Sequence, residues 1–279
     1  MTEIWVVERA KFPPLLRAIY DPPLRLYARG GSDAELLFRP CVAVVGARAC
    51  SPYGAQVARM LGRELAGAGL VVVSGLARGI DGEAHRGALE AGGLTVAVLG
   101  CGIDRDYPAA HAELARRIRE NGLVVAEYEP GVEPAPWRFP ARNRIIAGLC
   151  AATVVVEARE RSGALITADL ALEEGREVFA VPGEITSTLS AGTNALLKVG
   201  AAPCTSAADV LELFGLARDE RAQPELSADA AKVLDGLPAA ADELARATGL
   251  DARTVAVALA ELELGGHAQE GDGVYRAAG

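Results

Sequence analysis

Six short apolar runs, each closed by a turn of small residues and most followed by an alanine-rich amphipathic stretch, recur between residues 41 and 215. They are Val42 to Val45, Leu70 to Val73, Thr95 to Leu99, Leu123 to Ala126, Thr153 to Glu157 and Glu177 to Val181. A β-type period alternating with a helical one at this spacing is the pattern of stacked βαβ units. Runs that are apolar at nearly every position have no solvent face, so helices must cover both sides of their sheet. The expected fold class is therefore α/β, a doubly wound Rossmann-like, mostly parallel sheet.

Three of the turns put glycine and arginine together: Gly46-Ala47-Arg48, Gly75-Leu76-Ala77-Arg78-Gly79 and Arg161-Ser162-Gly163. In a parallel sheet all three open at the carboxyl edge, where such folds bind ligands. Glycine admits a ligand close to the backbone, a helix start aims N–H groups at anions, and arginine adds a planar fork that fits phosphate. A phosphate-rich ligand is thereby implied.

The net charge of -9 argues against nucleic acid until its distribution is considered. Residues 216–279 carry 6 basic and 12 acidic residues, whereas residues 1–40 carry 6 and 5. Arginines gathered at turns of a nearly balanced middle segment can attract a polyanion that the acidic tail repels. Ahead of the middle segment, residues 1–40 read as an extended proline-rich arm (Pro13, Pro14, Pro22, Pro23) packed on it. Behind it, residues 216–226 read as a linker containing Pro224, and residues 227–279 as a small winged-helix-like domain. In that domain helices are expected around Ala230 to Leu234, over Ala241 to Thr248 with Gly249 as the stop, and from Asp251 to Leu264, with Val274 and Tyr275 in a returning strand. Its surface offers only Arg253 to DNA, so a protein contact suits it better. No apolar stretch is long enough for a membrane span and no signal peptide is visible, so a cytoplasmic location is expected. Five scattered cysteines without a Cys-x-x-Cys pair suggest neither a disulfide framework nor a metal site.

Phe139-Pro140-Ala141-Arg142-Asn143-Arg144-Ile145-Ile146 places an aromatic just before two arginines and an apolar helix. An aromatic beside arginine is how unpaired bases and their phosphates are held. A surface helix start with Phe139 plugging the core accounts for the same residues. Asp81 can cap the helix after Arg78-Gly79-Ile80 and steady Arg78, and His85, without partners at metal-ligand spacing, reads as a hydrogen-bonding residue. Ser162 lacks the Gly-x-Ser-x-Gly context of a nucleophile and fits a phosphate-binding helix cap. Gly192-Thr193-Asn194 is another small polar turn. Neither a Walker A motif nor Gly-x-Gly-x-x-Gly follows any of these strands, so no cofactor is expected.

Taken together, Gly46-Ala47-Arg48-x-x-Ser51-x-x-Gly54, Ser74-Gly75-Leu76-Ala77-Arg78-Gly79-Ile80-Asp81-x-x-Ala84-His85, Phe139-Pro140-x-Arg142-Asn143-Arg144-Ile145-Ile146, Arg161-Ser162-Gly163 and Gly192-Thr193-Asn194 resemble, in order and spacing, the DprA/Smf family of DNA-processing proteins. The resemblance covers about Phe12 to Leu213. It implies a non-enzymatic homodimer that binds single-stranded DNA without sequence preference, protects it and helps load the RecA recombinase in natural transformation and recombination. Carried over residue by residue, it implies phosphate contacts from Arg48, Arg78, Arg142 and Arg144, a base contact from Phe139, and a pocket lined by Ser162 and Thr193. Gly46, Ser51, Gly79, Asp81, Asn143 and Gly163 complete the expected DNA-binding set. The N-terminal helical domain of many relatives has no counterpart in these residues, and a lysine that some relatives carry shortly before the aromatic is missing, with Trp137 and Arg138 nearby instead. The alternative is a Rossmann-type nucleotide-hydrolysing enzyme, similar to the phosphoribohydrolases that resemble lysine decarboxylases. Those carry Pro-Gly-Gly-x-Gly-Thr where this chain has Arg161-Ser162-Gly163-Ala164.

Overall fold

The computed structural model describes residues 3–216, 226–264, 267–271 and 273–277. The chain divides into two compact units, with the boundary between residues 217 and 218. The expected linker lies mostly outside the described residues.

In the first unit the apolar runs form β3 (Cys41–Val45), β4 (Val71–Ser74), β5 (Thr95–Gly102), β6 (Leu123–Tyr128), β7 (Ala152–Val155) and β8 (Glu177–Ala180), with β1 (Ile4–Glu8) and β2 (Arg25–Gly30) before them and a short β9 (Ala202–Pro203) after. Together they make a nine-stranded sheet in the order β1-β2-β6-β5-β4-β3-β7-β8-β9, parallel throughout from β6 to β9. The helices are α1 (Pro14–Ala18), α2 (Pro52–Gly67), α3 (Ile80–Glu90), α4 (Ala112–Asn121), α5 (Arg138–Leu149), α6 (Gly163–Glu173), α7 (Ala191–Lys198) and α8 (Ala207–Leu213).

Period-two alternation sorts each strand between two cores. Ala43, Val45, Val71 and Val73 pack with Ile145 and Ile146 of α5 and Ala164 and Ala168 of α6. Val42, Val44 and Val72 pack instead with Leu61 and Leu65 of α2 and Ala84 and Ala88 of α3. The runs are apolar throughout because neither face meets water, which is the doubly wound, mostly parallel arrangement the sequence implies.

The proline-rich segment is not an extended arm. Its residues supply β1 and β2, an antiparallel pair that joins the sheet through β2 and β6. Leu26 and Ala28 face the core from β2, while Phe12, Leu16 and Ile19 are buried in the same core as α5. Pro13, Pro22 and Pro23 lie in connections and Pro14 opens α1, so the local breaks they impose fall outside the strands and do not prevent sheet pairing.

The second unit holds α9 (Ala228–Asp235), α10 (Ala241–Thr248), α11 (Ala252–Leu264) and a hairpin of β10 (Ala268–Gly271) with β11 (Val274–Ala277). Ser227 caps α9 by accepting from Ala230 N, Gly249 ends α10 with φ +72°, and Asp251 accepts from the backbone N–H groups of Arg253 and Thr254. Ala230, Val233, Leu244, Val255, Leu259 and Leu262 form a core of its own. Three helices and a wing-like hairpin are the expected arrangement. Among the described residues no helix is long and apolar enough to cross a membrane, and no cluster of His, Cys, Asp or Glu is placed to hold a metal ion. The five cysteines are unpaired, and burial pushes the Cys41 and Cys204 thiols up to about 12.

Candidate nucleic-acid interface

Strand order reverses between β3 and β7: the chain steps outward through β4, β5 and β6, then returns to the other side of β3. Loops on the two sides of such a switch point diverge and leave a crevice at the carboxyl edge. A cleft of about 250 Å³ lies there, walled by Gly46 and Arg48 after β3, by Ser162 and Gly163 at the start of α6, and by Phe139, Arg142, Asn143 and Asp81. A second cleft of about 440 Å³ shares Arg48, Ala77, Phe139 and Arg142 with the first and adds Arg78, Gly100 and Tyr107. Phe139 and Arg48 therefore border both.

Phe139 stacks on Tyr107 with ring centroids 5.5 Å apart, and the Arg48 guanidinium lies 5.1 Å from the Phe139 centroid. Gly100 permits the approach, since a Cβ there would stand 2.7 Å from Phe139 Cδ1. Arg48 and Arg78 are exposed, and among the described residues neither forms an ion pair. They are cations with their forks open to a ligand.

The loop bearing Arg48 is held from below. Ala47 N donates to Glu157 O at 2.7 Å, Ser51 N donates to Glu157 Oε2 at 2.9 Å, and Ser51 Oγ donates to Glu157 Oε1 while accepting from Gly54 N. Ser51 thus caps α2 and borders a separate cavity beside Glu157 and Tyr53, not the Arg48 cleft. Glu157 was missed as a functional residue. The available signal was a carboxylate closing an otherwise apolar strand run, where only a polar partner can satisfy it.

The loop bearing Arg78 is strained and over-determined. Leu76 has φ +59°, a left-handed conformation rare for a branched residue, and its side chain is buried with Leu99, Leu114 and Ile118. Asp81 accepts from Gly75 N at 3.0 Å and Ala77 N at 3.4 Å, and His111 Nδ1 donates to Leu76 O at 2.9 Å. Asp81 therefore fastens the turn before α3; the cap position of that helix belongs to Gly79. Gly79 has φ +75°, and a Cβ on it would stand 2.3 Å from Ala47 O, so it joins the two arginine loops and lines neither cleft.

Arg142 borders both clefts but is only 4% exposed. Its Nη1 donates to Gly75 O at 2.8 Å and to Val98 O, and Nε donates to Asn143 Oδ1 at 3.2 Å. Asn143 Nδ2 in turn donates to Gly163 O at 3.1 Å, so the pair ties β4, β5 and α6 together. Burial pushes Arg142 down to about 10 and raises Asp81 above the usual carboxylate range, with the charge of each opposing the other's shift. Ser162 caps α6, accepting from Ala164 N at 3.3 Å.

Besides Ser51 and Gly79, two more of the sequence-derived positions lie elsewhere. Arg144 is turned away from both clefts, with Nε on Asp21 Oδ2 at 3.0 Å and Nη1 and Nη2 on the two Glu127 oxygens at 3.0 and 2.7 Å. Two residues on from Arg142, it faces the other side of α5 and its fork is filled by carboxylates. Thr193 is fully buried at the start of α7, its hydroxyl donating to Ser190 O at 3.1 Å. Gly46, Arg48, Arg78, Asp81, Phe139, Arg142, Asn143, Ser162 and Gly163 converge on the clefts; Ser51, Gly79, Arg144 and Thr193 do not line them.

His85 is structural. Its Nδ1 donates to Thr95 Oγ1 at 2.7 Å, and that hydroxyl donates to Val72 O. Burial, with the nearby charges of His111, Arg142 and Arg86 added, pushes it down to about 3. The folded protein thus keeps His85 neutral where the unfolded chain protonates it. The unfolded state binds the extra proton between about pH 6.5 and pH 3, and stability falls as pH drops through that window, by up to roughly 1.4 kcal/mol per unit. Denaturant unfolding at several pH values should show this slope reduced in His85→Gln; an identical slope in both proteins would remove His85 as its source.

The family model for DNA recombination-mediator protein A matches residues 3–215, and that for the DprA winged helix domain matches residues 217–273. The chain belongs to the DNA recombination-mediator protein A family. The DNA processing protein DprA of Streptococcus pneumoniae is 50% identical over 203 residues, covering 73% of this chain and 71% of that protein. Its X-ray structure aligns with a TM-score of 0.72 at 47% identity, over 75% of this chain and 74% of the other. The Helicobacter pylori DNA processing protein A, whose structure was described for its single-stranded DNA binding mode, aligns with a TM-score of 0.69 at 32% identity, over 77% of this chain and 98% of that one. As a DprA/Smf member, this chain carries its two open arginines and the Phe139 ring within the first matched unit.

Proposed function

We propose that this chain binds single-stranded DNA without sequence preference in the paired clefts around Phe139. We also propose that it protects the strand and, as a cytoplasmic homodimer, helps load the RecA recombinase in natural transformation and recombination. The observation that carries the binding reading is the set of two open arginines, Arg48 and Arg78, around a partly exposed, stacked aromatic at the switch point. Guanidinium groups hold phosphates of any sequence, and an aromatic face accepts any base. The support for the RecA and dimer readings is membership of a recombination-mediator family. No enzymatic role is proposed, because no sequence motif supplies a base, a nucleophile and a partner together.

Competition among a single strand, a duplex and a mononucleotide tests the reading, with the single strand expected to win. Two phosphate contacts, from Arg48 and Arg78, give a log–log salt slope of roughly -1.4 on a single strand. Arg48→Ala should flatten that slope by about 0.7 and weaken all sequences alike. A slope and affinity that do not change in Arg48→Ala and Arg78→Ala would remove both arginines from the interface, and hydrolysis of nucleotide or strand by pure protein would favour the enzyme alternative.

A further inference from the structure

The connection from β6 to α5 carries an aromatic and cationic cluster outside both clefts. Trp137 sits at the cap position of α5 and is 64% exposed. The Arg138 guanidinium lies 4.7 Å over the Trp137 ring and 5.0 Å over the Tyr128 ring. Arg138 Nη1 donates to Glu133 O, which anchors the group, while its Nε is buried with no hydrogen-bond partner. A large ring held open to water beside a fixed guanidinium offers a π-face for a base and a cation for the adjoining phosphate.

Placement gives this cluster its meaning. Trp137 and Phe139 are two residues apart at a helix start, so at 3.6 residues per turn their side chains leave nearly opposite sides of α5. Phe139 turns toward Arg48 and Tyr107, and Trp137 lies with Arg138 and Tyr128 at the end of β6. Both rings lie at the carboxyl edge of the sheet, Phe139 at the clefts and Trp137 beside the end of β6.

We propose that Trp137 is a second base-stacking platform, with Arg138 beside it for the phosphate, so that one unpaired strand crosses the start of α5 from the Phe139 clefts to Trp137. This rests on the single-strand reading above and extends its footprint by a subsite toward the β6 side.

The chain holds two tryptophans, and the other, Trp5, packs against the core from β1. In a Trp5→Phe background, emission therefore reports Trp137 alone. Oligothymidylates of about 4 and about 12 nucleotides bracket the site. The longer one is expected to quench Trp137 emission, and Trp137→Ala to weaken its binding about 5-fold or more while sparing the shorter one. Trp137→Phe, which keeps an aromatic face, should retain most of the affinity. Binding of the long oligonucleotide with unmoved Trp137 emission and an unchanged Trp137→Ala affinity would overturn the subsite and leave the Phe139 clefts standing. Equal weakening at both lengths, with a lowered melting temperature, would overturn it as well, by showing that Trp137 merely packs the connection. If no oligonucleotide binds the unsubstituted protein, the single-strand reading fails and the subsite with it.

Discussion

Phe139→Ala is expected to weaken single-strand binding by about 5- to 150-fold while leaving duplex binding and the salt slope nearly unchanged. The range follows from about 1–3 kcal/mol for one stacked base. Phe139 already meets Tyr107 at 5.5 Å and Arg48 at 5.1 Å, so the site holds a prepared aromatic stack beside an open cation. A duplex keeps its base faces covered and gains nothing from the ring. Were phosphate charge alone in control, a duplex would compete as well as a single strand or better, because its charge density is higher. Equal loss for both ligands in Phe139→Ala would show instead that the ring serves only to pack the loop against Gly100.

Arg142→Ala is expected to lower stability by about 3–5 kcal/mol, the cost of breaking a buried charged network by removing one partner. Against a total of about 5–15 kcal/mol for a typical domain, that loss is large. The guanidinium bridges Gly75 O and Val98 O from one nitrogen and Asn143 Oδ1 from another, and a lysine cannot span the three. Arg142→Lys should therefore remain destabilised, whereas Arg48→Ala, exposed and unpaired, should stay within about 0.5 kcal/mol of the parent. Urea unfolding separates the two arginines. An Arg142→Ala protein with unchanged stability and lost DNA binding would return Arg142 to the role of phosphate ligand.

Parallel strands buried on both faces leave a plain record in sequence, and the runs from Val42 to Val181 mark the sheet core to within a residue or three at each end. The capping residue Asp251 and the stop Gly249 made the small second unit equally legible, whereas the Ser227 cap emerged only in the structure. The first forty residues were not, because short strands separated by proline-bearing connections carry too few periods to register, and the pairing of β2 with β6 is a long-range event. Within the site, glycine and arginine at turns after strands mark loops that the topology sends to one edge. Which arginine stays open is set by partners far along the chain: Glu127 and Asp21 fill Arg144, backbone carbonyls fill Arg142, and nothing comparable reaches Arg48 or Arg78. Local sequence carries no signal for partners at that separation.

The two arginine loops are fastened to one another at Ala47. Its carbonyl accepts from Ile80 N at 3.2 Å and stands where any Gly79 side chain would go, and its own N–H is held by Glu157. Arg48 and Arg78 therefore ride on loops in direct backbone contact, a frame expected to hold their mounting points at one spacing. Little ordering entropy falls on the protein when it binds, so the flexible strand supplies nearly all the adjustment. Base composition then enters through mechanics: a strand stiffened by stacking on itself, such as oligoadenylate, must unstack to fit the frame, whereas a limp oligothymidylate settles onto it at lower cost. On the proposed single-strand reading, a site that reads no bases would still sort strands by their pliancy.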